Sequence, residues 1–152
     1  MPHLIIFLLS MSPLSELRGA IPLALLYYKL SLAEAVFISI FGNILAALLV
    51  LCILNYFVED IVNHINFLKK ITDWVFEKTR KRHKVKFAKW QDLALIIIVA
   101  IPLPFTGAWT GALASYVFGV PLKRSFPLIT LGVLIAGIIV TLLTVNGIYI
   151  FS

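Results

Sequence analysis

Three long stretches of this chain contain no charged side chain. Aspartate, glutamate, lysine and arginine are all missing from residues 35–58, 93–122 and 125–152. Each stretch is longer than the ~20 residues that a helix needs to cross the hydrocarbon core of a bilayer. Only 13% of the residues are charged and 61% are hydrophobic, whereas a soluble domain is roughly 25% charged and about 45–50% apolar. The sequence therefore predicts an all-α integral membrane protein with a single domain over residues 1–152.

The net charge of +6 is concentrated in one segment. Residues 69–89 hold nine lysines and arginines against two acids. The positive-inside rule places such a segment on the cytoplasmic side of the plasma membrane, where anionic lipid attracts it, and this explains the charge without nucleic-acid binding. Apolar residues at helical spacing within residues 59–92 predict an amphipathic connector helix in the membrane interface. A solvated helical hairpin is the alternative.

The connector separates two halves with the same plan, residues 1–58 and 93–152. In each half a proline-containing break interrupts an apolar segment, and an uninterrupted apolar segment follows. The prolines Pro13 and Pro102 are 89 positions apart, and the glycines Gly42 and Gly132 are 90 apart. The sequence therefore predicts an internal repeat, with long helices over residues 32–57 and 126–150.

The breaks are the features that suggest a membrane pathway. Backbone that is broken at membrane depth must be buried in protein or line a wet cavity, so Pro13, Pro22, Pro102 and Pro104 predict helix breaks within re-entrant hairpins or discontinuous helices. A re-entrant second hairpin returns the basic pair 123–124 to the side of the basic connector, which the positive-inside rule favours. The same geometry places residues 29–34 outside. The two halves would then form an inverted repeat, with a binding site near the midplane.

Two ionisable residues lie inside the first broken segment. Charged groups at such depth are costly, which makes Glu16 and Arg18 functional candidates. Burial would favour the protonated form of Glu16, so that it could carry a proton, and the guanidinium of Arg18 would hold an anion such as phosphate. The structural alternative is that each neutralises the other or a backbone carbonyl. Ser12 and Ser15 could line the same pocket, although helix capping is the commoner use of serine.

The second break offers a facing half-site. The hydroxyls of Thr106 and Thr110, with free backbone amides at Gly107 and Gly111, predict an anion site at the start of a helix. The glycine spacing is also typical of close helix packing. The ring of Trp109 would stack against substrate or fill the interior.

Other functional classes have less support in the sequence. No histidine has metal-ligand spacing to a cysteine or carboxylate cluster, so neither a metal nor a cofactor is predicted. No nucleophile has an orienting base, so an enzyme that acts on lipid phosphate ranks last. Asn43, inside the first long helix, is expected to form a hydrogen bond between helices. Two crossings and two hairpins would enclose a pathway only thinly, which favours a homo-oligomer.

The two breaks also carry a family resemblance. Residues 16–22 and 102–111 resemble the two signatures of the small multidrug export proteins, and the resemblance covers nearly the whole chain. That family is distantly similar to the DedA-type membrane proteins, which are linked to lipid-carrier translocation and lipid scrambling and share facing re-entrant loops. The resemblance implies that Glu16 and Arg18 match important acidic and basic positions there. Phe105 departs from the pattern, because a small residue, commonly glycine, is expected at its position.

These observations together lead to a functional expectation. The protein is expected to be a secondary transporter or lipid-carrier translocator that moves a small or amphipathic anionic substrate, with protons as a coupling ion and membrane lipids as its surroundings. The alternative is a membrane scaffold or assembly factor that transports nothing and binds a partner through the basic connector.

Overall fold

The structure, a computed structural model, describes residues 1–58, 86–103 and 106–151. Most of these residues are helical, the rest lie in turns and irregular segments, and none forms a strand, which confirms the all-α class. The helices are α1 (Pro2–Met11), α2 (Glu16–Leu26), α3 (Leu32–Ile53), α4 (Lys86–Ala100), α5 (Ala108–Val117) and α6 (Leu122–Phe151). A π-helical turn, Leu54–Val58, continues α3. The predicted amphipathic helix of the connector lies outside the described residues, as do Pro104 and Phe105.

Two helices within these ranges are long and apolar enough to cross a membrane. They span Leu32–Phe57 and Leu122–Ile148, each with a mean hydropathy of 2.7 in its most apolar window. Only 39% and 33% of those windows are buried inside the protein, so most of each helix surface is left for lipid, unlike the core helix of a soluble domain. The first span matches the prediction. The second begins four residues earlier than predicted, and together the spans support a membrane protein.

The start of α3 is fixed by its own sequence. The Ser31 hydroxyl accepts a hydrogen bond from the Glu34 backbone N–H at 3.3 Å, and the Glu34 carboxylate accepts one from the Ser31 N–H at 3.1 Å. This reciprocal capping box satisfies two amides that a helix start otherwise leaves unpaired. The long helix therefore begins at a defined residue, immediately after the turn that follows α2.

Among the described residues, the breaks comprise residues 12–15 in the first half and residues 101–103 and 106–107 in the second, and they include Pro13 and Pro102. The prediction of a break at Pro22 is wrong, because this proline lies inside α2. Proline removes only the one backbone hydrogen bond that would reach the carbonyl of residue 18. The buried residues on either side of it, Ile21 and Ala24 among them, pack against the rest of the protein and keep the helix continuous.

The helices of the two halves follow one another in the same order: short helix, break, short helix, turn, long helix. In the first half α1 packs against α2 and α3, and in the second α4 packs against α5 and α6. The long helices α3 and α6 also pack against each other, and so does the pair α2 and α6. The main hydrophobic core draws on both halves, with Leu17, Ile21, Leu51, Ile129 and Val133 among its buried members.

Each long helix crosses the first helix of its own half at a glycine. A Cβ added at Gly42 would collide with the Ser10 hydroxyl and lie 2.9 Å from a carbonyl of α1, and a Cβ added at Gly132 would lie 2.6 Å from Val99 and 3.1 Å from a carbonyl of α4. The contact residues occupy equivalent positions, with Phe7 and Ile96, Ser10 and Val99, and Gly42 and Gly132 as the pairs. The two crossings are therefore built in the same way.

A polar tie at the start of each long helix occupies equivalent positions too. His3 Nε2 lies 3.6 Å from Glu34 Oε1, and Asp92 Oδ2 lies 2.5 Å from Arg124 Nη2. His3 and Asp92 are 89 positions apart and Glu34 and Arg124 are 90 apart, so basic and acidic residues exchange places between the halves. The inverted orientation and the re-entrant course of the hairpins remain predictions, because both are defined relative to a bilayer.

Candidate functional site

The structure brings the two breaks together. The Trp109 indole N–H at the start of α5 donates to the carbonyl of Met11 at the end of α1, at 3.0 Å. The Trp109 backbone N–H donates to Glu16 Oε1 at 3.4 Å, and the Arg18 guanidinium donates to the second break. The start of α2 and the start of α5 are thus held against each other, although they are far apart in the sequence.

Arg18 binds the backbone of the second break. Its guanidinium donates to the carbonyls of Leu103 and Thr106 and, at 2.9 Å, to the Thr106 hydroxyl. That hydroxyl lies 2.7 Å from the carbonyl of Ile101, which follows the end of α4. The Leu103 and Thr106 carbonyls lie within the break, beyond the end of α4, and the guanidinium supplies hydrogen-bond donors to this irregular backbone. Of the alternatives that the sequence left open for Arg18, the structure shows the contact with backbone carbonyls.

Glu16 lies at the other end of the same break, next to the start of α5. Its carboxyl group is buried against the start of α5, where it contacts the backbone of Ala108 and Trp109. Gly107, the residue before this helix, has φ 142° and ψ −163°, a conformation that is essentially restricted to glycine. A Cβ at Gly107 would lie 2.6 Å from the Glu16 carboxyl carbon. The anion site predicted at the start of α5 therefore holds the chain's own acidic side chain.

Both ionisable residues of the first motif, residues 16–22, thus contact the second break, Glu16 at backbone amides and Arg18 at backbone carbonyls. The Glu16 carboxyl group lies against the first backbone N–H groups of α5, and the Arg18 guanidinium lies against carbonyls of the break itself. Glu16 itself has φ 46°, an uncommon conformation for a residue with a side chain. The sequence reveals both charges, but it does not reveal their backbone partners, which leave no side-chain signature.

An open cavity of about 490 Å³ lies beside Arg18. It is bounded by α2, by the C-terminal part of α6 and by Pro102, and the residues that line it are Arg18, Pro22, Leu26, Pro102, Val140, Leu143, Thr144, Gly147 and Ile148. Arg18 is the one charged residue among them. Thr144 donates its hydroxyl hydrogen to the carbonyl of Val140 within its own helix, at 2.8 Å. Among the described residues, the cavity therefore combines an apolar wall with a single cationic side chain.

Arg18 keeps hydrogen-bonding capacity at this cavity. A guanidinium has five N–H donors. Arg18 forms three hydrogen bonds to the second break, so at least two of its donors are not used there. Among the described residues, no carboxylate oxygen lies within 4.0 Å of the Arg18 guanidinium, the distance limit of an ion pair. The positive charge of Arg18 is thus bound to dipoles but is not neutralised by a close acid.

A second, much smaller cavity lies beside Glu16. Its volume is about 10 Å³, and Glu16, Asn43 and Gly107 contribute to its lining. Asn43 Nδ2 donates to the carbonyl of Ser10 at 3.2 Å, which joins α3 to α1 and confirms the predicted interhelical hydrogen bond. The Asn43 Oδ1 atom is buried without a partner among the described residues.

The predicted serines lie outside both cavities. The Ser12 hydroxyl accepts a hydrogen bond from Leu14 N–H at 3.4 Å within its own turn. Ser15 occupies the position before α2, where its side chain forms no capping hydrogen bond. Its hydroxyl lies where a Cβ at Gly19 would be, so this serine packs against the first turn of α2.

The remaining residues of the second motif divide between packing and position. Gly111 allows close approach of Val99, whose side chain would collide with an added Cβ, and this supports the packing interpretation of that glycine. Trp109 is partly buried and connects the motif to the end of α1 through its indole N–H. Thr110 is partly buried in the first turn of α5. Within the described ranges, no group of three metal-ligating side chains occurs.

Comparison with known proteins agrees with the two motifs. No curated protein and no solved structure matches the chain. A family model described as "Putative small multi-drug export protein" matches residues 16–139. The match begins at Glu16, includes both motifs and extends into the second long helix, so it spans well over half of the sequence. The chain therefore belongs to the family of small multi-drug export proteins.

Proposed function

We propose that this protein is a secondary transporter or lipid-carrier translocator that moves an amphipathic anionic substrate across the plasma membrane. The observation that carries this proposal is the position of Arg18 in the wall of the 490 Å³ apolar cavity, without a close acid. The volume lies within the roughly 300–1,000 Å³ that is usual for small-molecule sites. An anionic group would bind the free donors of Arg18, and an apolar chain would lie along α2 and α6.

The chemistry of the cavity favours a substrate with both parts. A guanidinium that faces a hydrophobic cavity attracts an anion more strongly than it would in water, because the local dielectric constant is lower. Its planar donor groups suit a phosphate or a carboxylate. The apolar side chains of Leu26, Leu143 and Ile148 offer no partner to a fully polar solute. A phosphorylated lipid carrier has the required combination, as does a smaller anionic amphipath.

The architecture supports transport of this kind. We propose that the two hairpins are re-entrant and enter from opposite leaflets, with the connector in the cytoplasm. The equivalent glycine crossings and the equivalent polar ties of the two halves support such a repeat. Facing breaks near the midplane are the usual location of transporter binding sites. The proposed distant similarity to DedA-type proteins points to the same arrangement, and a homo-oligomer would complete the wall of the pathway.

In this mechanism the two charged residues have different roles. Arg18 holds the anionic group while it also keeps the second break in place. Glu16, whose carboxyl group is buried against the start of α5, carries a proton. It alternates between a neutral and an ionised form as the site opens to either side. Because both residues contact the same break, movement of that break couples the two events.

Flux measurements on reconstituted vesicles test the proposal. Purified protein in vesicles would be given a phosphorylated polyprenyl lipid, a neutral polyprenol and a cationic drug, with and without a pH gradient. We expect the phosphorylated lipid to move fastest. Arg18→Ala should lower the ratio of anionic to neutral flux at least tenfold, and Glu16→Gln should abolish acceleration by the gradient. The ratio is independent of how much of a variant is correctly folded.

A matched control separates the site from general charge effects. Arg124→Ala also removes one arginine, but this residue lies at the start of α6, where it pairs with Asp92. We expect this variant to keep the wild-type flux ratio. Equal loss of anionic and neutral flux in Arg18→Ala would refute the proposed role of Arg18. A well-assembled protein that moves none of the three probes would refute transport and favour the scaffold alternative.

A further inference from the structure

A buried polar atom in the first half has no hydrogen-bond partner. Asn43 is 1% exposed, and its Nδ2 is used in the bond to the carbonyl of Ser10. The Oδ1 of the same side chain has no donor among the described residues. A buried amide oxygen without a donor is unfavourable, and more so where lipid excludes water. Asn43 Oδ1 therefore requires a hydrogen-bond donor other than those described above.

The second half shows that the helix crossing does not require this polar group. Three buried polar residues of the first half correspond to buried apolar residues in the second. The pairs, 89 or 90 positions apart, are Ser10 and Val99, Ser39 and Ile129, and Asn43 and Val133. Since apolar residues build the same crossing in the second half, the asparagine serves a purpose other than packing.

Glu16 is the acidic residue that lines the same small cavity as Asn43. The Asn43 amide contacts the Glu16 carboxyl group, and both residues line the cavity of about 10 Å³. Glu16 is 7% exposed and has no cation within ion-pair distance among the described residues. Arg18 is the charged group that faces it, from the same helix, and its guanidinium is bound to backbone carbonyls. The contacts from the other elements are neutral, namely Asn43 of α3 and the backbone of Ala108 and Trp109 of α5.

We propose that Glu16 and Asn43 form a proton-binding pair, in which Glu16 is a neutral carboxylic acid that donates a hydrogen bond to Asn43 Oδ1. A carboxyl group buried without a paired cation is more stable in its neutral form. The backbone N–H groups at the start of α5 favour the ionised form, as do the Asn43 amide N–H and the more distant charge of Arg18. The contact from the Trp109 N–H is long, however, at 3.4 Å, and such dipoles contribute less than the burial of an unpaired charge costs. Asn43 then acts as a positioning residue for the acid.

An ordered water is the other source of a donor hydrogen. To hold a water molecule, a cavity needs roughly 10–15 Å³ of space that the centre of a water-sized sphere can occupy. The cavity that Glu16 and Asn43 line, at about 10 Å³, only just reaches that limit. A proton on Glu16 requires no added volume. The pair builds on the proposed function, because it gives the transporter a proton site, but its test does not depend on flux.

Infrared difference spectroscopy of the reconstituted protein tests the pair directly. We expect a carbonyl stretch of a protonated carboxylic acid at neutral pH that is lost in Glu16→Gln. Asn43→Val installs the residue that the second half uses. In that variant we expect the stretch to move to higher frequency and the band to disappear at a lower pH, because the neutral acid has lost its acceptor. Ser39→Ala, one turn away on α3, should leave the band unchanged.

The outcomes separate this pair from transport. If Asn43→Val fails to assemble, as judged by size-exclusion chromatography, Asn43→Ala removes the same oxygen with a smaller side chain. Absence of the protonated band at every pH at which the wild type remains assembled would assign the donor to water and overturn the pair. A band that neither asparagine variant moves would overturn the role of Asn43. A shifted band in a protein without flux would support the pair and refute transport.

Discussion

Replacing Gly107 by alanine tests the close contact between the two breaks. The backbone of Gly107 has φ 142° and ψ −163°, and an alanine in that region carries strain of about 1–3 kcal/mol. The added methyl group would also lie 2.6 Å from the Glu16 carboxyl carbon, so that side chain has to shift. Moving it weakens the hydrogen bond to the Trp109 N–H, which contributes about 0.5–1.5 kcal/mol. The expected loss in the free energy of unfolding is therefore about 1.5–4.5 kcal/mol, the sum of these two ranges.

Gly147→Ala is the matched control for this variant. Nothing described lies within 4 Å of a Cβ at Gly147, which occupies a regular helical position in α6. There an alanine should raise the free energy of unfolding by about 0.5–1 kcal/mol, since it restricts the unfolded chain more than glycine does. The two glycine variants should therefore change stability in opposite directions, although each adds one methyl group.

Equilibrium unfolding in mixed detergent micelles, followed by far-ultraviolet circular dichroism, measures both variants. The double variant Gly107→Ala and Glu16→Ala removes the collision but leaves the backbone strain. Relative to Glu16→Ala alone, the glycine replacement should then cost only the strain of about 1–3 kcal/mol. If Gly107→Ala is as stable as the wild type, the left-handed backbone and the contact with Glu16 are both incorrect.

Three further predictions follow from the contacts between and around the breaks. Arg18→Lys keeps the charge but loses the planar donor fork, so the free energy of unfolding should fall by about 1.5–3 kcal/mol, and unchanged unfolding would contradict the binding of the break carbonyls. Trp109→Phe removes the indole donor and should lower stability by about 0.5–1.5 kcal/mol, as measured in the same unfolding assay. In a Cys52→Ala background, an impermeant maleimide added outside whole cells should label Lys29→Cys but not Lys123→Cys, and external labelling of the latter would rule out a re-entrant second hairpin.

The sequence predicted the parts of the fold that are marked by the absence of charged residues or by the presence of proline. The charge-free stretches predicted both membrane-spanning candidates, and the spacing of Pro13 and Pro102 predicted two corresponding breaks. Pro22 was misassigned because a proline signals only the loss of one hydrogen bond. Whether a helix continues past it depends on tertiary packing, here that of Ile21 and Ala24, which no local pattern reveals.

The candidate site was predicted in its residues but not in its partners. Glu16 and Arg18 were identifiable because ionised groups are rare at membrane depth. Their contacts are backbone amides and carbonyls in the other half, and any residue type supplies those. The apolar wall on α6, with Leu143 and Ile148, carries no signal that distinguishes it from a lipid-facing surface. The role inferred for Asn43 required the coordinates, since it depends on an oxygen without a partner and on the apolar residue at the equivalent position.

The exchanged charges of the two polar ties bear on how such a chain arises. An acid begins α3 and an arginine begins α6 at equivalent positions, while the glycine crossings beneath them are alike. Under the positive-inside rule a few charges at the ends of a helix decide which way it inserts. If the two halves insert in opposite directions, as proposed, substitutions at the rim of a duplicated unit are enough to turn it over while its interior stays the same.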